Sequence, residues 1–166
     1  MSISEQKTTI VVDVANVMGA RPDGWWRDRA GAAVRLYGEV AALAASGTAV
    51  LPGETRETSE TRGAAETGGA AETGGAAEAA PPEFVMVLEG AANAAGPRIA
   101  AGAPADRVRV VHAPGHGDDT IVAVVRDLPG RRIVVTADRE LRDRCTAAGA
   151  EVRSPGWLLG LLNAEK

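Results

Sequence analysis

Thr8-Thr9-Ile10-Val11-Val12-Asp13 is an unbroken β-branched run that ends in an acid. Continuous apolar runs of this kind belong to strands buried on both faces, as in a parallel sheet, rather than to exposed edges. Phe84-Val85-Met86-Val87-Leu88-Glu89 repeats the pattern. Val108-Arg109-Val110-Val111-His112 reads as a third strand and Ile133-Val134-Val135-Thr136 as a fourth, with Ala150-Glu151-Val152-Arg153 a short fifth. Between them lie helical patterns. Residues from Trp25 to Ala45 space Val34, Tyr37, Val40, Ala41 and Leu43 among charges, and Asp118 to Leu128, Asp138 to Ala148 and Trp157 to Leu162 follow the later strands. Alternation of strand and helix predicts an α/β fold of three layers, a mainly parallel sheet of about five strands covered on both faces.

The whole chain has 166 residues, enough for one domain. At 45% hydrophobic and 24% charged it can bury a core, which excludes wholesale disorder and a collagen-like repeat. Only five residues are aromatic, Trp25, Trp26, Tyr37, Phe84 and Trp157, so Val, Leu, Ile and Ala must build that core. Residues 53–82 contain no Val, Ile, Leu, Met or aromatic residue and repeat Ala-Ala-Glu-Thr-Gly-Gly from Ala64 and Ala70. Ordering them at about 1–2 kcal/mol per residue would be offset by almost no burial, so a disordered insert is expected. A flexible coil of that length spans roughly 30 Å, which lets the flanking segments share one domain. The expected organisation is a flexible 1–7 and a single domain over 8–163 that the insert interrupts.

The formal charge of −4 is the charge of the insert, whose Glu54, Glu57, Glu60, Glu66, Glu72 and Glu78 outnumber Arg56 and Arg62. The rest is neutral, which gives no overall electrostatic footprint for tight nucleic-acid binding and leaves local basic surfaces open. A single cysteine, Cys145, excludes an internal disulfide and a cysteine-based zinc cluster and suits a reducing cytoplasm. Neither a signal-peptide pattern nor an apolar run of about 18 residues is present, so a cytoplasmic chain without membrane contact is expected.

Three strands deliver carboxylates at or just past their ends, Asp13, Glu89 and Asp138, and Asp118-Asp119 opens the helix after the third strand. In a parallel sheet those ends share one edge, where ligands bind at the point of strand-order reversal. Clustered carboxylates raise one another's pKa unless a cation compensates, and an all-oxygen ligand set suits Mg²⁺ or Mn²⁺. Such an ion lowers the pKa of its bound water and stabilises attack on phosphorus. Each acid also has a simpler reading. Asp118 and Asp138 precede helices that an Asp can cap for about 1 kcal/mol, Asp13 through Asn16 can form a turn, and Glu89 can be a solvated strand end. The coincidence of four acids on one edge carries the argument.

Asp13-x-x-Asn16, Gly117-Asp118-Asp119 and Thr136-Ala137-Asp138-Arg139-Glu140-Leu141 resemble, in order and spacing, the NYN branch of the PIN-like nuclease superfamily. The likeness covers about residues 8–51 and 83–162. It implies a Rossmann-like PIN-like fold and hydrolysis of RNA phosphodiesters with Mg²⁺ or Mn²⁺. It further implies Asp13, Asp118 or Asp119, and Asp138 as metal ligands, with Asn16 orienting them and Glu140 in support. Arg21-Pro22-Asp23-Gly24-Trp25-Trp26-Arg27-Asp28-Arg29 resembles an actinobacterial subgroup of these domains, some labelled nucleotide pyrophosphohydrolases. Val14 departs from the family, which usually has Gly or Ala there; a β-branched residue would restrict the turn and tighten the approach of substrate backbone.

Trp25 and Trp26, flanked by Arg21, Arg27 and Arg29, follow the first strand and should lie near the acids. An indole there can stack a base while arginines hold phosphates, or it can simply pack a helix onto the sheet. His112 and His116 flank Pro114-Gly115 and read as incidental loop residues. Trp157 to Leu162 fits either the core or a homodimer interface. Three functions stay open: a metal-dependent ribonuclease, a nucleotide phosphoanhydride hydrolase, for which no Walker loop is found, and a non-catalytic RNA- or protein-binding module.

Overall fold

A computed structural model describes residues 7–46, 81–102 and 105–164. The expected insert therefore lies, apart from Pro81 and Pro82, outside the described residues, as does the expected flexible N-terminus apart from Lys7. Lys7 belongs to the domain: its carbonyl accepts from Arg131 N at 2.8 Å and its ammonium pairs with Glu83 at 3.2 Å.

Five strands form one sheet, β1 (Thr8–Asp13), β2 (Glu83–Leu88), β3 (Val108–His112), β4 (Arg131–Val135) and β5 (Glu151–Arg153). Their order is β3-β2-β1-β4-β5 and every pairing is parallel. The chain winds outward from β1 to β3, then crosses back to β4 and out to β5. The reversal lies between β1 and β4, where neighbouring connections leave on opposite faces and open a crevice at the strands' C-terminal ends.

Seven of the eleven residues of β1 and β4 are fully buried, the signature of central parallel strands. Alternation sends Ile10 and Val12 to one face and Val11 to the other. On the first face lie α1 (Val14–Gly19), α2 (Arg29–Ala45), α3 (Ala95–Ala100) and the closing α6 (Pro155–Ala164). On the second lie α4 (Gly117–Asp127) and α5 (Arg139–Ala147), which contribute Ile121, Val122, Val125, Leu141 and Cys145. This is the three-layer Rossmann-like PIN-like architecture that the sequence predicts.

Three local expectations change. The helix expected from Trp25 breaks into a 3-10 turn over Trp25–Arg27, entered from Gly24 at φ 77°, and α2, because Asp28 leaves helical geometry at φ −152° and ψ 81° and its carboxylate accepts from Gly31 N at 2.9 Å as the cap of α2. Val14 through Gly19 is helical rather than a turn. Val14 is fully buried in the first core, so it does not narrow the approach to the open edge. In α6, Leu158 and Leu162 are core residues, with Trp157, Leu159 and Leu161 packed partly buried against them. Among the described residues no helix is long and apolar enough to cross a membrane.

Candidate active site

Asp13 ends β1 at the strand-order reversal and is only 4% exposed. It caps α1, and its Oδ2 accepts from Asn16 Nδ2 at 2.7 Å and from Thr136 Oγ1 at 2.8 Å. The Thr136 hydroxyl, just past β4, accepts in turn from Asp138 N at 3.1 Å, while Asn16 Oδ1 accepts from Ala137 N at 3.3 Å. One network thus ties the end of β1 to the β4–α5 turn across the crevice. Burial pushes the Asp13 carboxyl above its ordinary pKa; the hydrogen bonds from Thr136 and Asn16 oppose that, and the charge of Glu89 adds to it.

Asp138 caps α5, its Oδ1 accepting from Leu141 N at 3.0 Å. Asp118, in the first turn of α4, is pushed above the ordinary carboxylate range, first by burial and then by the charges of Asp138 and Glu89; Arg144 opposes this and Glu140 adds to it. The two neighbouring acids of α4 therefore divide. Asp119 is 75% exposed and pairs with Arg144 at 3.0 Å, so Asp118 is the one that faces the other carboxylates.

Glu89 is not a solvated strand end. Its Oε1 accepts from Gly117 N at 2.7 Å, placing a carboxylate on the positive end of α4. A Cβ at residue 117 would lie 2.9 Å from the Glu89 carboxyl carbon, so the glycine there permits a close approach. His112 is likewise occupied, its Nδ1 at 3.0 Å from Asn93 Oδ1 and its ring against Gly96.

The edge therefore gathers Asp13, Glu89, Asp118, Asp138 and Glu140, supplied by β1, the β2 end, α4 and α5. Asn16 and Thr136 brace Asp13. Sequence reasoning passed over Thr136, although a buried hydroxyl directly after an apolar strand is the signal that marks it. Among the described residues, no three His, Cys, Asp or Glu side chains converge closely enough to hold a metal ion. The donor chemistry nonetheless fits a hard divalent cation: all oxygen, with charges near enough to raise the proton affinity of Asp118.

The basic and aromatic residues divide as well. Arg21 is committed to Glu39 at 2.8 Å. Trp25 packs partly buried against the first core with the Arg29 guanidinium 5.3 Å from its ring centroid. Trp26 is 55% exposed, with Arg27 at 5.7 Å.

Parallel strand order and three layers give the domain a Rossmann-like, PIN-like fold, with acids lining the strand-order reversal. Among solved structures it is similar to Rae1 (YacP) from Bacillus subtilis, with a TM-score of 0.60 and 15% sequence identity over 95% of this chain and 76% of that one. The likeness is one of fold. The sequence matches no protein-family model and no curated protein.

Proposed function

We propose that this edge is the active site of a ribonuclease dependent on Mg²⁺ or Mn²⁺. The observation that carries the proposal is the meeting of Asp13, Asp118, Asp138 and Glu89 from four separate segments at the strand-order reversal. Asp13, Asp118 and Asp138 are the residues that would hold the ion, drawn closer together than they stand in this structure. When bound, it supplies a water of lowered pKa and neutralises charge developing on the phosphate.

The chain's own part is positioning. Thr136 and Asn16 hold the rotamer of Asp13 through hydrogen bonds to Oδ2, and those bonds favour its charged form against the burial that opposes it. Asp138 is held by the first turn of α5 and supplies the largest part of the negative field that Asp118 feels, and Glu89, anchored on Gly117 N, adds to it. Glu140 lies close enough to reinforce that field. The resemblance of the Asp13, Asp118 and Asp138 motifs to the NYN branch supports RNA as the polymer, and the fold likeness is compatible with it.

The test separates the two acids of α4. Asp118→Asn should abolish Mn²⁺-dependent cleavage of a labelled RNA, a loss of at least about 100-fold on the scale typical of charge stabilisation in hydrolysis. Asp119→Asn should stay within a few-fold of the unsubstituted protein. Unchanged cleavage with Asp118→Asn would remove Asp118 from the site, and equal loss in both would remove the division between the two acids. Hydrolysis of nucleoside triphosphates in place of RNA would select the phosphoanhydride reading, and RNA binding without turnover the binding module.

A further inference from the structure

Trp26 is the large apolar side chain that, among the described residues, stays exposed. Its neighbour is not equivalent. Trp25 is braced on Gly19 and the first core, and it meets Trp26 at right angles, with ring centroids 6.0 Å apart. The Arg27 guanidinium lies 5.7 Å from the Trp26 centroid. An exposed indole with an aromatic ring set at right angles to it and a cation near its face has little freedom left to lose when something stacks on it.

Its position is tied to the acids by topology. α1 leaves the end of β1 at Asp13, the 3-10 turn follows, and α2 then begins at Arg29 and ends on the far side of the sheet, where Ala44 and Ala45 share a cavity with Arg107 at the start of β3. The 17-residue α2 is about 25 Å long. The start of α2, and Trp26 with it, therefore lies toward the C-terminal edge of the sheet that carries Asp13. Arg27 and Arg29 pair with no carboxylate among the described residues, whereas Arg21 is spent on Glu39.

We infer that Trp26, with Arg27 beside it, is a stacking platform for one unpaired base of the polymer that this edge would bind. The inference rests on the ribonuclease reading. In a duplex both faces of each base are covered by its neighbours, so only an unpaired nucleotide can offer a face to the indole. Arg27 and Arg29 can meet the adjoining phosphates and partly offset the repulsion of the acidic edge.

Binding is measured in an Asp118→Asn background, which blocks hydrolysis and lowers the negative charge of the edge. A short labelled single-stranded RNA and the same sequence as a duplex are titrated against that protein and against forms that also carry Trp26→Ala or Trp26→Phe. The expected result is tighter binding of the single strand, a loss of about tenfold or more for it with Trp26→Ala, little change for the duplex, and substantial recovery with Trp26→Phe. Equal melting temperatures show that the fold is kept. Unchanged single-strand affinity with Trp26→Ala, or equal losses on both RNAs, would overturn the inference. Mn²⁺-dependent cleavage by the unsubstituted protein, measured in parallel, bears on the ribonuclease reading alone; the Trp26 pattern without cleavage would keep the platform and discard the nuclease.

Discussion

At Thr136 one hydroxyl serves two partners: it donates to Asp13 and accepts from the Asp138 backbone N–H. That places the acid of β1 and the cap of α5 in a single hydrogen-bonded unit, so neither can be read alone. Asp138 in particular is both a cap and a charged member of the edge, and two substitutions separate the roles. Asn caps helices about as well as Asp, whereas Ala loses the bond to Leu141 N. Asp138→Asn should keep stability within a few tenths of a kcal/mol and lose RNA cleavage, and Asp138→Ala should lose cleavage and also about 1 kcal/mol in urea denaturation. Full activity in Asp138→Asn would reduce Asp138 to a cap. The individual acids Asp13, Asp118 and Asp138 were legible in the sequence because each follows an apolar run or opens a helix. The division between Asp118 and Asp119 was not, since it depends on where Arg144 of α5 reaches.

At the scale of elements, the strands were legible because β-branched runs bounded by acids or turns have few other readings. The short helices α1 and α3 were not. Val14-Ala15-Asn16-Val17-Met18-Gly19 is too brief to show a period, and its helical state follows from the cap on Asp13 and from Val14, Val17 and Met18 entering the core. The junction of β2 with α4 was hidden for a different reason, since Glu89 and Gly117 lie 28 residues apart and meet only through topology. That junction makes a prediction of its own. Gly117→Ala would bring a methyl group to 2.9–3.1 Å from the Glu89 carboxylate, so Glu89 must leave the α4 N-terminus. The expected outcome is a destabilisation of roughly 1–3 kcal/mol, read in a denaturant titration, from the lost charge-assisted bond and steric strain. Stability equal to that of the parent protein would show that Glu89 holds nothing in place.

For the whole molecule, the strand order β3-β2-β1-β4-β5 converts scattered acids into one edge. That convergence has an energetic sign. Burial and like charges raise Asp13 and Asp118 above their ordinary value of 3.8, so between that value and their folded-state pKa the folded chain binds more protons than the unfolded one. Stability from these two groups therefore falls as pH rises through that window, and at neutral pH the edge keeps its charge at the expense of the fold. A cation that binds only the folded protein would return that stability and more. The direct measurement is the melting temperature at neutral pH, with chelator and with Mn²⁺ at about a hundred times its Kd, for the unsubstituted protein and Asp118→Asn. The account predicts a rise of roughly 5–10 °C with Mn²⁺ for the former. For Asp118→Asn it predicts a metal-free melting temperature at or above that of the parent and little response to Mn²⁺. No shift in the unsubstituted protein, or the same shift in both, would contradict the claim that these carboxylates form one cation-binding site.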